Sequence, residues 1–243
     1  MILARISRAI REQNWFAVAL EFVIVIAGVV IGFQITAWNA DRQDRVAESM
    51  ALARIQQDIE QNIAELSERI DRNAEQDENF RILADAVTAG SVRDEDRAAF
   101  EDGMARILYF SRPPLSQPSY DALEQSGDLA LIRSDRLMTQ LNELRSDLLW
   151  VQSQQASFRS GLSSMADYWR PYVFHTPTSV PVRTAVRVDL DGLASDPQAA
   201  SAVVEATRMH AIFSSYLVRY LDQLQSVCRE IARETGQPCE ASP

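Results

Sequence analysis

The chain has no lysine: all 24 of its basic residues are arginine, set against 34 acidic ones for a formal net charge of −10. The missing lysine reflects genome composition more than chemistry, but the acidic excess argues against nucleic acid and anionic membrane surfaces as partners of the soluble part. Two histidines, His175 and His210, exclude any site that needs three or more His ligands. No glycine-rich phosphate loop, G-x-S-x-G or H-E-x-x-H occurs. Asp189-x-Asp191-Gly192 resembles the start of a calcium loop, but the later acids and the closing Glu are absent, so a turn is the better reading. We therefore expect no enzyme, no cofactor and no metal. Glycine (8) and proline (9) are scarce and clustered, as suits a mostly helical protein.

What the chain does have is a long apolar run, Trp15 to Trp38, with an aromatic residue at each end. From Phe16 to Ala37 only Glu21, Gln34 and Thr36 interrupt it. At ~1.5 Å per residue it reaches roughly 33 Å, enough to cross a hydrocarbon core of ~30 Å. A cleaved signal peptide would carry a shorter apolar region ending at small residues, whereas Ala40 is preceded by bulky Trp38. The segment reads as a retained transmembrane helix, residues 14–39, behind a short basic tail, residues 1–13. Arg5, Arg8, Arg11 and the α-amine precede the span and Arg42, Arg45 and Arg54 follow it, a slight contrast that favours a cytoplasmic N-terminus.

One face of this helix is distinctive. At about 100° per residue, Gly28 and Gly32 point within about 20° of Glu21, as do Asn14 and Asn39. Gly28-x-x-x-Gly32 is a spacing that lets membrane helices approach closely, and Glu21 on the same stripe would avoid lipid. The alternative is a chance GxxxG, with Glu21 reaching the headgroups. The first reading makes Glu21, Gly28 and Gly32 a helix–helix contact, for a homo-oligomer or a membrane-protein partner.

The remaining 200 or so residues suffice for one domain with its own core. No Gly or Pro occurs from Phe33 to Ala89, so the membrane helix either continues outward or bends near Asn39–Asp41. Leu52, Ile55, Ile59, Ile63, Leu66 and Ile70 form a stripe of period 3.6. Helices are expected at about 44–89, 94–110, 119–127, 134–170 and 197–235. Ser91 with Asp94–Asp96 reads as the start of the second, which carries Phe100, Met104, Ile107 and Phe110.

In the fourth, Leu137, Leu141, Leu144, Leu148, Val151, Gln155, Phe158, Leu162, Met165 and Trp169 keep a seven-residue repeat, implying a gently supercoiled bundle helix. In the fifth, Val203, His210, Leu217, Leu224 and Ile231 form one row and Ala206, Phe213, Tyr220 and Val227 another. Between them, residues 171–196 read as a strap or short edge strand, long enough for the two helices to run antiparallel. With Met165 level with Val203, Phe158 faces His210 and Gln155 lies one turn away, suggesting a buried Gln155–His210 polar layer. Cys228 on the last helix and Cys239 beyond Gly236 and Pro238 can form a disulfide, which would need an oxidising compartment. Unrelated thiols are the alternative.

The anchor NWFAVALEFVIVIAGVVIGFQITAWN, together with Tyr120-x-x-Leu123-x-x-Ser126-Gly127-x-Leu129-x-Leu131-Ile132, resembles an uncharacterised family of single-span bacterial membrane proteins. The likeness covers roughly residues 13–60 and 115–150. It implies an N-terminal anchor with a helical extramembrane domain, assigns no activity, and draws attention to Glu21, Trp38, Asn39, Tyr120, Ser126 and Gly127. The last two and Tyr120 form either a recognition site or a packed turn.

The expected fold is all-α, a single transmembrane helix followed by a long-helix bundle. The expected setting is the bacterial inner membrane, single-pass, with a periplasmic domain. The expected function is a scaffold or accessory subunit working through protein–protein contacts. The alternative is a ligand-sensing bundle, which would signal through a partner because the chain carries no second span or signalling domain.

Overall fold

A computed structural model describes residues 15–110, 115–176 and 185–240, with side chains of the first helix from Ala19 onward. The fold is all-α with one minor two-stranded sheet. The first described element, α1, is a single helix from Trp15 to Ala89, unbroken at Asn39–Asp41 as the lack of Gly and Pro allows. The expected start at residue 44 is thus replaced by continuity with the apolar segment. The basic tail, residues 1–13, lies outside the described residues.

The chain divides into two compact units, Met1–Met50 and Ala51–Pro243. In the first, every residue from Ala19 to Ala40 is exposed. That segment is long and apolar enough to cross a membrane. The second is a helical bundle whose core collects apolar stripes from several helices.

In the bundle, α1 buries Leu52, Ile55, Ile59, Ile63 and Leu66, then resumes at Phe80, Leu83 and Val87. Gly90, at φ +66°, ends it, with the Ser91 N–H bonded to the Ala86 carbonyl. A left-handed residue closes a helix this way at little cost only when it is glycine. A 3₁₀ turn, Asp94–Asp96, leads into α2, Arg97–Arg106.

Two expectations are corrected here. Ser91 does not cap, since the residue before the 3₁₀ turn is Arg93 and no side chain caps it. The helix also stops at Arg106 rather than 110. Ile107 and Phe110 stay in the core from an irregular turn closed by Tyr109 N–H to Arg106 O at 2.7 Å.

Next come α3, Pro118–Ser126, a 3₁₀ turn at Asp128–Leu131, and α4, Asp135–Trp169, whose cap Ser134 accepts from the Leu137 N–H. The strap contains an antiparallel hairpin, β1 (Val173–Thr176) with β2 (Ala185–Val188), Val173 opposite Val188. A short helix, α5 (Leu190–Ser195), follows. Asp189, read above as part of a turn, caps it by accepting from the Gly192 N–H at 3.1 Å. The last helix, α6, runs Pro197–Thr235 with Asp196 accepting from Gln198 and Ala199 N–H.

Helices α4 and α6 pair antiparallel. Arg136 meets Glu230 (3.3 Å), Trp150 meets Tyr216 (ring centroids 4.6 Å) and Phe158 meets Phe213 (6.5 Å). The register is within a turn of the expected one. Nine α4 residues are buried, and eight of them belong to the ten-residue heptad row. Phe158 and Met165 of that row are half-buried. All nine residues of the two α6 rows are buried.

Candidate functional site

The residues singled out in the sequence separate into four places. The first is the segment entering α3, which side chains of α1 hold from outside. Asp58 Oδ2 accepts the Ser119 N–H at 2.8 Å, and Asn62 pairs both groups of Ser116, donating to its carbonyl at 2.7 Å and accepting its N–H at 3.2 Å. Asn62 thereby supplies the two bonds a neighbouring strand would supply, and Asp58 satisfies one of the orphan amides of the helix start. Pro118, in the first turn, has no N–H to satisfy. Buried Gln117 donates to the Tyr220 hydroxyl at 3.2 Å, and burial pushes the Tyr220 phenol far up from its ordinary pKa.

Tyr120 is buried and donates to Asn142 Oδ1 at 2.5 Å; burial, with Glu124 adding to it, raises its pKa. Ser126 and Gly127 are exposed. Ser126 Oγ donates to the Leu123 carbonyl, and Gly127, at φ +80°, ends α3. The structure therefore does not bring Tyr120 together with Ser126 and Gly127. Tyr120 anchors α3 to the core, and the other two make its terminal turn. A void between α1, α3 and α4, lined by Asp58, Gln117 and Tyr120 among others, measures about 10 Å³, room for a single water. An open depression of about 390 Å³ on α4 and α6 is lined by polar and acidic groups such as Glu143, Asp147 and Gln223.

The second place is the polar layer. Gln155 and His210 are both buried, but they do not form the expected pair. The His210 ring is sandwiched between Phe80 (centroids 4.1 Å) and Phe110 (4.4 Å), and its Nε2 lies 2.7 Å from the Ile107 carbonyl. The irregular turn after α2 offers that carbonyl, so the histidine bonds across to α2's end instead of to α4. Burial holds the His210 pKa below its ordinary value, the Ile107 bond working the other way. The ring is thus neutral at pH 7 and donates from Nε2. Gln155 Nε2 finds no partner.

The third place is the tail. Cys228 and Cys239 form a disulfide, their Cα atoms 5.8 Å apart. The tail is also tied to α1, where Gln56 Nε2 donates to the Pro238 carbonyl at 2.9 Å and the Glu240 N–H donates to Glu60 Oε1 at 3.0 Å.

The fourth is the apolar segment. Glu21, Gly28 and Gly32 are all exposed, and a Cβ built on either glycine meets nothing within 4 Å. Thr36 Oγ1 bonds back to the Gly32 carbonyl at 3.0 Å. Trp38 is exposed, with the Arg42 guanidinium 6.0 Å from its ring centre, and Asn39 is exposed as well.

The chain matches no protein-family model, no curated protein and no solved structure. Its chemistry is therefore read from geometry alone. Among the described residues, Glu60, Cys228 and Cys239 are the group of acidic and sulfur ligands close enough to hold a metal.

Sequence reasoning missed Asp58, Asn62 and Glu60. The signal available was a set of polar residues, Gln56, Glu60 and Asn62 among them, bordering the apolar stripe of α1. Such residues say that a polar contact exists without saying with what.

Proposed function

We propose that the protein is a membrane-anchored helical scaffold or accessory subunit, acting through protein–protein contacts. The carrying observation is the fully exposed apolar segment Ala19–Ala40, on a helix that continues into the stripe buried by the bundle. A segment apolar on all sides is stable in lipid or against other helices, and not in water. In this reading the span sits in the bacterial inner membrane, with the N-terminus cytoplasmic and the bundle periplasmic. The slight basic contrast, three arginines and the α-amine before the span against three arginines after it, and the disulfide both support that orientation. Glu21, Gly28 and Gly32 form the contact face, toward a second copy or another membrane protein.

The ligand-sensing alternative draws little support from the void between α1, α3 and α4, which at about 10 Å³ is far below the several hundred Å³ of a small-molecule site. The depression of about 390 Å³ on α4 and α6 adds little, being open to solvent and lined by polar and acidic side chains instead of enclosing apolar ones. The test is gentle detergent extraction followed by mass determination of the intact complex. A small multiple of 27.3 kDa, or a heavier stoichiometric assembly with another protein, is the expected result. A mass of one chain under conditions that preserve other membrane complexes would overturn the reading.

A further inference from the structure

The tail staple gathers three metal-ligand groups at one point. The sulfurs of Cys228 and Cys239 and a carboxylate oxygen of Glu60 all lie within 4.8 Å of one another. They come from α6, the tail and α1. Cys228 is fully buried, while Cys239 and Glu60 are half-buried. The surroundings are already ordered: Glu60 Oε1 accepts from Gln56 Nε2 at 2.9 Å and from the Glu240 N–H at 3.0 Å. The same Gln56 amide donates to the Pro238 carbonyl, so the backbone on both sides of Cys239 is fixed against α1. Outer hydrogen bonds of this kind orient ligands before a metal arrives.

We propose that, when the Cys228–Cys239 bond is reduced, Cys228, Cys239 and Glu60 bind one zinc ion, with water in the fourth position. The metal then takes over the tie between tail and α6. A thiol or phosphine reductant supplies two electrons, and two protons from water complete two thiols. Zinc displaces both protons, leaving two thiolates and a carboxylate as ligands. Tetrahedral zinc, with Zn–S of about 2.3 Å and Zn–O of about 2.0 Å, places sulfurs roughly 3.7 Å apart and sulfur and oxygen roughly 3.5 Å apart. Cys228 Sγ is 4.0 Å from Glu60 Oε1, so that edge is nearly formed. Turning the half-exposed Cys239 side chain opens the other. Two thiolates select zinc over calcium or magnesium, and the ion offsets the cost of a buried Cys228 thiolate.

The experiment uses the full chain in detergent, reduced with a phosphine, cleared of reductant under inert gas and titrated with Co²⁺. Thiolate-to-cobalt absorption should saturate at one equivalent and vanish on adding Zn²⁺. It should be absent from the unreduced protein and from Cys239→Ser. Glu60→Gln, with its helical circular dichroism intact, should weaken Co²⁺ binding about tenfold or more. Glu240→Gln, which removes a neighbouring exposed carboxylate, should leave the affinity unchanged. No absorption in the reduced protein, or equal affinity for wild type and Glu60→Gln, overturns the proposal. So does an equal loss in the two glutamate variants, which would reflect general charge.

Discussion

Gly28 and Gly103 are both helical glycines, and a methyl group added to each would have opposite consequences. A Cβ at Gly28 meets nothing within 4 Å, in a segment where every residue from Ala19 to Ala40 is exposed. A Cβ at Gly103 would lie 2.8 Å from the Asn79 carbonyl oxygen and 3.4 Å from Leu83 Cβ, where α2 presses its backbone against α1. Gly103 is small because its partner is already present. Gly28 meets no such partner among the described residues. The same contrast runs along α1 itself. Its first part is apolar on nearly all sides, its later part apolar on one, and among the described residues only the second pattern is matched by packed atoms.

The strongest way to break the comparison is Gly103→Ala. Asn79 is held from its side chain as well, donating to Asp102 Oδ2 at 3.0 Å, so the carbonyl cannot retreat freely. Overpacking of this kind costs ~1–3 kcal/mol, and alanine's better helix propensity returns at most about 1 of it. A net loss of about 1–2 kcal/mol in chemical denaturation is expected. An unchanged midpoint would mean that the two helices are not closely packed there.

A smaller, pH-dependent effect is expected at His210, the polar centre of the same helix junction. Burial lowers its pKa beneath the ordinary 6.5. The unfolded chain therefore binds the proton more readily, so stability is complete above that value and declines as pH falls below it. Asp77 on α1, bonded to Ser214 of the His210 helix, has its carboxyl pKa raised by burial. A raised carboxyl pKa has the opposite sign, so a loss of stability as pH falls through the window below about 6.5 belongs to His210. His210→Gln keeps a donor for the Ile107 carbonyl and removes the titration. Thermal melts should show wild type losing stability across that window and the variant much less. Equal slopes would place the effect elsewhere.

These two sites also show what the sequence could and could not convey. The heptad rows of α4 and α6 were legible because burial repeats every 3.5 residues along long helices, and the antiparallel register followed from matching them. The helix ends at Gly90 and at Asp196-Pro197 were legible because each has a local backbone reason. His210's burial was legible too, being one member of a row. Its partner was not. Periodicity tells which way a side chain faces, but the carbonyl it meets belongs to Ile107, in a turn where α2 stops short of its own apolar pattern. Strand character in the strap was legible, but its pairing as a hairpin and the helix α5 were hidden, since elements of four to six residues are shorter than the window in which a period can be read. The support of α3 by Asp58 and Asn62 depends on contacts 54 and 61 residues apart in sequence, which no local pattern encodes.

The smallest expected effect on folding sharpens the comparison most. Gly28→Ile adds a β-branched side chain where the fold leaves open space, so the denaturation midpoint of the bundle should not move. Gly32→Ile should behave alike. If the Glu21, Gly28 and Gly32 face meets another helix, the same substitutions separate the backbones and weaken association in a membrane reporter assay of the isolated span. Glu21→Gln preserves a hydrogen-bonding group and should weaken association less than either glycine change. Unaltered association in both glycine variants would remove this face as the contact, and the exposed apolar segment would then need lipid alone to account for it. A shifted bundle midpoint would mean instead that the segment packs on its own chain, which would erase the distinction between Gly28 and Gly103.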